Sequence, residues 1–122
     1  MPQRILIVDD EENQRRTLAI GLRLEEFEVS EAADGETALV ALDAEEIHVA
    51  IVDLMMPGMN GFQATRTLSR GADTASIPIV VISSKSQETD KLWAMRQGAR
   101  EYIVKPVKES ELISKVNGVI NG

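Results

Sequence analysis

Cysteine is absent from these 122 residues, which excludes disulfides, thiolate nucleophiles and cysteine-ligated metals and agrees with a reducing compartment. Histidine occurs once, as His48. A zinc site of the usual multi-histidine kind is thereby excluded, and a Ser-His-Asp relay would depend on that one imidazole. His48 opens the run HVAIVD, which places it at the start of a strand, far from that strand's carboxyl end. Basic residues are in deficit: 13 Lys and Arg against 20 Asp and Glu give a formal net charge of -7. Such a field repels nucleic acid phosphates and anionic membrane surfaces, so neither direct nucleic acid binding nor membrane insertion is expected. Long apolar runs are missing too. The opening stretch MPQRILIVDDEE holds too few apolar residues for a signal peptide, and no run approaches transmembrane length. The expectation is a soluble, cytoplasmic protein with residues 1–122 forming one domain. That length suffices for a single packed core and falls short of a core plus a separate output module.

What is present is a set of short apolar runs: ILIV at 5–8, VAIV at 49–52, IVVI at 79–82 and YIV at 102–104. Continuous apolarity of this length suits strands covered on both faces, as in a parallel sheet. FEVSEA at 27–32 alternates instead, which suits an edge strand with one wetter face. Helical spacing fills the gaps. Residues 12–25 set Leu18, Gly21, Leu22 and Glu25 on one face, and residues 36–44 set Ala38, Leu39 and Leu42 for burial. Further helices are expected over about 61–70, 87–97 and 109–120. On the helix over 87–97, Leu92, Met95 and Ala99 share a face suited to the core, which turns Trp93 partly outward beside Arg96 and Gln97. No internal repeat, low-complexity segment or linker interrupts this β-α alternation. Right-handed crossovers then give an α/β fold with an open, doubly wound parallel sheet.

In such sheets ligands bind beyond the carboxyl ends of the strands, where the strand order reverses. The residues that follow the four apolar runs are Asp9-Asp10, Asp53, Ser83-Ser84 and Lys105. Each has an ordinary explanation by itself: a helix cap for Asp9 or Asp10, a turn former for Asp53, a loop hydroxyl for either serine, a surface cation for Lys105. Independent turn residues have no reason to supply acids, a hydroxyl and a cation at converging ends. Carboxylates a few ångströms apart repel by about 4 kcal/mol per close pair at an effective dielectric near 20. Lys105 offsets one charge, and the remainder calls for a hard divalent cation with oxygen ligands, Mg²⁺ above all. A cation, a lysine and a hydroxyl around one carboxylate are what transfer of a phosphoryl group to that carboxylate requires. Asp53, on the middle strand, is the natural nucleophile.

The acid pair in ILIVDDEE, the segment DLMMPGMNG at 53–61, the hydroxyl in VVISSK and the pair Lys105-Pro106 in YIVKPV give the chain its resemblance to receiver domains of two-component response regulators. The resemblance covers essentially the whole length. It implies a (βα)5 flavodoxin-like fold with a five-stranded parallel sheet in the order 2-1-3-4-5. It implies that Asp53 accepts a phosphoryl group from a histidine kinase or a histidine phosphotransfer protein, in a phosphorelay that switches a downstream protein target. The domain would assist its own phosphorylation without being a conventional enzyme, and would be a monomer or a phosphorylation-dependent dimer. Mg²⁺, for which Mn²⁺ can substitute, would be held directly by Asp10, Asp53 and the backbone carbonyl of Met55, with Asp9 acting mainly through water. Ser83 would bind one phosphoryl oxygen, Lys105 would bridge to another, and Tyr102 would be the switch aromatic, swinging inward from solvent. Trp93, Arg96 and Tyr102 would mark the partner surface. Pro57 and Gly58 would turn the chain so that the Met55 carbonyl faces the metal. A cis peptide is expected at Lys105-Pro106, where the chain must reverse sharply. GFQATR at 61–66, QETD at 87–90, Trp93 and RQGAR at 96–100 are further similar to single-domain regulators of type IV pilus twitching motility. Met55 departs from the polar residue many relatives carry there, which bears on the lifetime of the phosphorylated state.

Three other readings share parts of this pattern. A flavodoxin-type FMN binder needs a phosphate loop after the first strand, where DDEE would repel the phosphate. A phosphohydrolase of the haloacid dehalogenase kind needs a second acid two residues after its nucleophile, where this chain has Met55. A pseudo-receiver, acting only as an interaction module, would have no use for Asp10, Asp53, Ser83 and Lys105 together.

Overall fold

Five strands form one parallel sheet in the computed structural model, which describes residues 2–56, 59–60 and 76–121. They are β1 (Arg4–Val8), β2 (Glu28–Ala32), β3 (Val49–Asp53), β4 (Ile79–Ser83) and β5 (Glu101–Val104), in the spatial order β2-β1-β3-β4-β5. This is the order 2-1-3-4-5 expected from the resemblance. Four helices are described: α1 (Glu12–Leu24), α2 (Gly35–Ala44), α3 (Glu88–Arg96) and α4 (Glu109–Asn121). The helix expected over 61–70, like Pro57 and Gly58, lies outside the described residues. A short antiparallel pairing joins Met55–Met56 to Met59–Asn60.

The unbroken apolar runs follow from burial on both faces of the sheet. Leu6, Val8, Ala50, Val52, Ile79 and Val81 point to one side, where Ala38 of α2 and Ala94 of α3 cover them. Ile5, Ile7, Val49, Ile51, Val80 and Ile82 point to the other, under Leu18 and Leu22 of α1 and Leu112 and Val116 of α4. Alternate residues thus enter different cores, so the central strands are apolar between their ends and carry polar side chains only at terminal positions such as Asp53 and Ser83. The edge strand β2 keeps its polar residues by pairing them. Arg4 meets Glu28 at 2.7 Å and Glu45 at 2.9 Å, and Arg15 meets Glu31 at 3.2 Å. His48 sits before β3 at the opposite end of the sheet from Asp53, its Nδ1 accepting the Arg4 N–H at 2.9 Å.

Two helical faces differ from the sequence expectation. In α2, Ala38 is buried with Ala41 and Leu42 packed nearby, whereas Leu39 is exposed. One residue is a rotation of about 100°, enough to carry Leu39 off the face that Ala38 and Leu42 share. In α3, Leu92 is 52% exposed and Met95 40%, while Ala94 and Gln97 are buried. The spacing that joined Leu92, Met95 and Ala99 assumed an unbroken helix. In fact α3 ends at Arg96, and Gly98 turns the chain in the left-handed region at φ 112°. Ala99 therefore reaches the core from outside the helix, and Gln97 faces the core instead of flanking Trp93 on the surface.

Candidate functional site

Strand register alone brings the sequence-predicted residues together. Val8 pairs with Val52, so the next residues, Asp9 and Asp53, leave adjacent strands side by side. Asp53 pairs with Ile82, which puts Ser83 one step further on, and Ser83 pairs with Val104, which does the same for Lys105. The ladder continues past the strand ends, with Asp9 N–H donating to Ala32 O at 3.0 Å and Lys105 N–H to Ser83 O at 2.8 Å. Asp9, Asp53, Ser83 and Lys105 are therefore placed by backbone hydrogen bonds rather than by a free loop.

At the centre, the Asp53 carboxylate is 2% exposed and accepts a hydrogen bond from Lys105 Nζ at 2.7 Å. The Lys105–Pro106 peptide is cis, as the sequence suggested. Asp9 is fully buried beside it. Burial pushes the Asp9 carboxyl above its ordinary value. The Glu11 N–H and the Gln14 amide oppose that rise, Asp53 adds to it, and Lys105 opposes it. Gln14 was not singled out by sequence. Its Nε2 donates to Asp9 Oδ2 and, at 3.2 Å, to Asp53 Oδ2, joining the two carboxylates. The only sequence signal for it is a polar residue one turn before Leu18, on the buried side of α1. Arg15 secures the same corner, donating to Asp9 O at 2.8 Å.

Burial differs within each doublet at the strand ends. Ser83 is buried and its Oγ accepts the Lys85 N–H at 3.1 Å, whereas Ser84 is exposed. Asp9 is buried and Asp10 is exposed. Among the described residues, no three acidic or histidine side chains are already grouped to hold a metal ion. Two buried carboxylates with one lysine still leave an excess negative charge and hard oxygen donors, which fit a Mg²⁺ that keeps several waters. Tyr102 differs from expectation. It is 8% exposed, not solvent-facing, and its hydroxyl donates to Lys85 O at 2.9 Å. Its ring joins the buried cluster that includes Val81 of the sheet and Ala94 of α3. Trp93 is 55% exposed and Arg96 is exposed, so these two do lie on the surface.

The family model for the response regulator receiver domain matches residues 5–117. The chain belongs to that receiver family. It is 43% identical to the protein PilH of Pseudomonas aeruginosa over 119 residues, covering 98% of each. It is also 40% identical to the DNA-binding response regulator MtrA of Mycobacterium leprae over 116 residues, spanning 95% of this chain and 50% of that protein. Among solved structures, the chemotaxis protein CheY4 of Vibrio cholerae superposes with a TM-score of 0.92 at 27% identity, over 98% of this chain and 99% of CheY4. A receiver is a signalling domain rather than a conventional enzyme. No helix among the described residues is long and apolar enough to cross a membrane.

Proposed function

We propose that this receiver takes a phosphoryl group onto Asp53 from a histidine kinase or a histidine phosphotransfer protein and thereby alters a partner-binding surface. The observation that carries the reading is a buried carboxylate at the end of the central strand, held 2.7 Å from a lysine and flanked by a second buried acid. An Asp53 oxygen forms the new bond to phosphorus as the bond from phosphorus to the donor breaks, and the donor leaves with that electron pair. Lys105 and Ser83 lie at the adjoining strand ends, where an ammonium and a hydroxyl offset charge on the phosphoryl oxygens. Mg²⁺, when bound by Asp9, Asp10, Asp53 and the Met55 carbonyl, supplies further charge neutralisation of the same kind.

The switching part rests on Lys85. Its N–H binds Ser83 Oγ and its carbonyl binds the Tyr102 hydroxyl. A Ser83 hydroxyl drawn to a phosphoryl oxygen gives up the first contact, which frees the segment that holds the second. The surface alongside is α3, where Leu92, Trp93 and Met95 join Arg96 in facing solvent. The resemblance of GFQATR, QETD and RQGAR to twitching-motility regulators directs this reading toward type IV pilus control. The test is incubation with Mg²⁺ and acetyl phosphate followed by mass spectrometry. Wild type gains the mass of one phosphoryl group and Asp53→Asn gains none. Equal labelling of the variant places the acceptor elsewhere, and no labelling of wild type favours an interaction module that does not undergo phosphorylation.

A further inference from the structure

We propose that Gln14 is a built-in neutral competitor of the divalent cation, occupying the Asp9 and Asp53 oxygens until the cation displaces it. The inference rests on the phosphoacceptor reading above and deepens it. One nitrogen, Nε2, meets both Asp9 Oδ2 and Asp53 Oδ2. An amide nitrogen carries two hydrogens, one for each carboxylate, so the group suits a bridge between two acceptors. Its oxygen in that place would face carboxylate oxygens and be repelled. The backbone is set for this contact, since Gln14 N–H is capped by Glu11 Oε2 at 2.7 Å. Arg15 holds the Asp9 carbonyl from the next position. The Gln14 side chain is half-buried, so it can leave toward solvent without opening either core.

The consequence is thermodynamic. Hydrogen bonds from Gln14 stabilise the pair of carboxylates in the absence of the cation, and a cation held by Asp53 directly and by Asp9 through water must replace them. Wild type therefore binds Mg²⁺ more weakly than a variant of similar shape without the donor. Gln14→Met and Gln14→Leu are the variants, and the full chain is titrated with Mg²⁺ by calorimetry and by thermal melting. Both variants are expected to bind Mg²⁺ about tenfold more tightly, the scale of one hydrogen bond to a charged group. Both should melt below wild type in EDTA and together with it at saturating Mg²⁺. A purely structural role would lower the melting temperature equally in both conditions, and that result overturns the proposal. An equal or larger Kd in the variants, with wild type binding normally, also overturns it and leaves the phosphoacceptor reading intact. Binding by the variants but not by wild type supports it. Absence of binding in all three chains overturns this proposal together with the Mg²⁺ requirement.

Discussion

Asp53 and Lys105 show how one contact constrains two residues. The carboxylate is almost fully buried and the lysine about one quarter exposed, so removing the lysine takes away the ammonium that faces a buried carboxylate. Lys105→Ala is expected to lower metal-free stability by about 1–3 kcal/mol, between the ranges for exposed and buried pairs. The same substitution in Asp53→Asn should cost less, because no buried charge is then left behind. A double-mutant cycle in urea measures the difference, and additive costs would show that the pair is not coupled. Asp34 offers a pH handle. Its carboxylate caps α2 by accepting the Thr37 N–H at 2.8 Å, and that amide, followed by the Thr37 hydroxyl, holds the carboxyl below its usual range. A carboxyl with a depressed folded-state pKa adds stability above its unfolded value and loses it as pH falls through the folded value. Asp34→Ala should melt below wild type at neutral pH, with the gap closing as pH drops below about 4. A gap independent of pH would mean that the carboxylate's charge is irrelevant to the cap.

At the scale of elements, α3 carries the sharpest test. Ala94 is its fully buried residue, while Leu92 projects into solvent. Ala94→Leu should destabilise by about 1–3 kcal/mol through overpacking, and Leu92→Ala should change stability by less than about 0.5 kcal/mol. Denaturant melts of both variants check this, and the reverse ranking would restore the face that helical spacing suggested. The strands were legible because burial on both faces writes itself into unbroken runs such as IVVI. The faces of α2 and α3 were harder to read, because Ala, Leu and Met recur at more than one phase and propensity does not say which phase meets the sheet. Gln14 was missed for a related reason: a polar residue early in a helix reads as solvated until its neighbours are known.

For the whole molecule, the doubly wound order brings Asp9 and Asp53 together at the carboxyl ends of two adjacent central strands. A ligand that binds only the folded state must then stabilise it. Mg²⁺ at a hundredfold excess over its Kd should add about 2.7 kcal/mol, and Asp10→Ala should remove most of that gain. Melting curves with and without Mg²⁺ decide the matter, and an unchanged wild-type curve at millimolar Mg²⁺ would contradict the site as described. Asp10 is a fitting probe because it is exposed, so its substitution leaves both packed cores untouched.

The sequence by itself determined the α/β alternation, the exclusion of cysteine and multi-histidine chemistry, and the identity of the residues at the strand ends. Those properties are local: an apolar run of five residues and the polar residue behind it are adjacent in the chain. Tertiary structure alone decided what depends on the pairing of distant segments. It chose Ser83 over Ser84 for burial, set Asp9 inside and Asp10 outside, turned Tyr102 inward onto Lys85, and brought Gln14 between two carboxylates. Each of those outcomes turns on strand register or helix phase, where a shift of one residue exchanges inside for outside. Packing against the opposite element selects among those alternatives, and that selection is not encoded in any single segment.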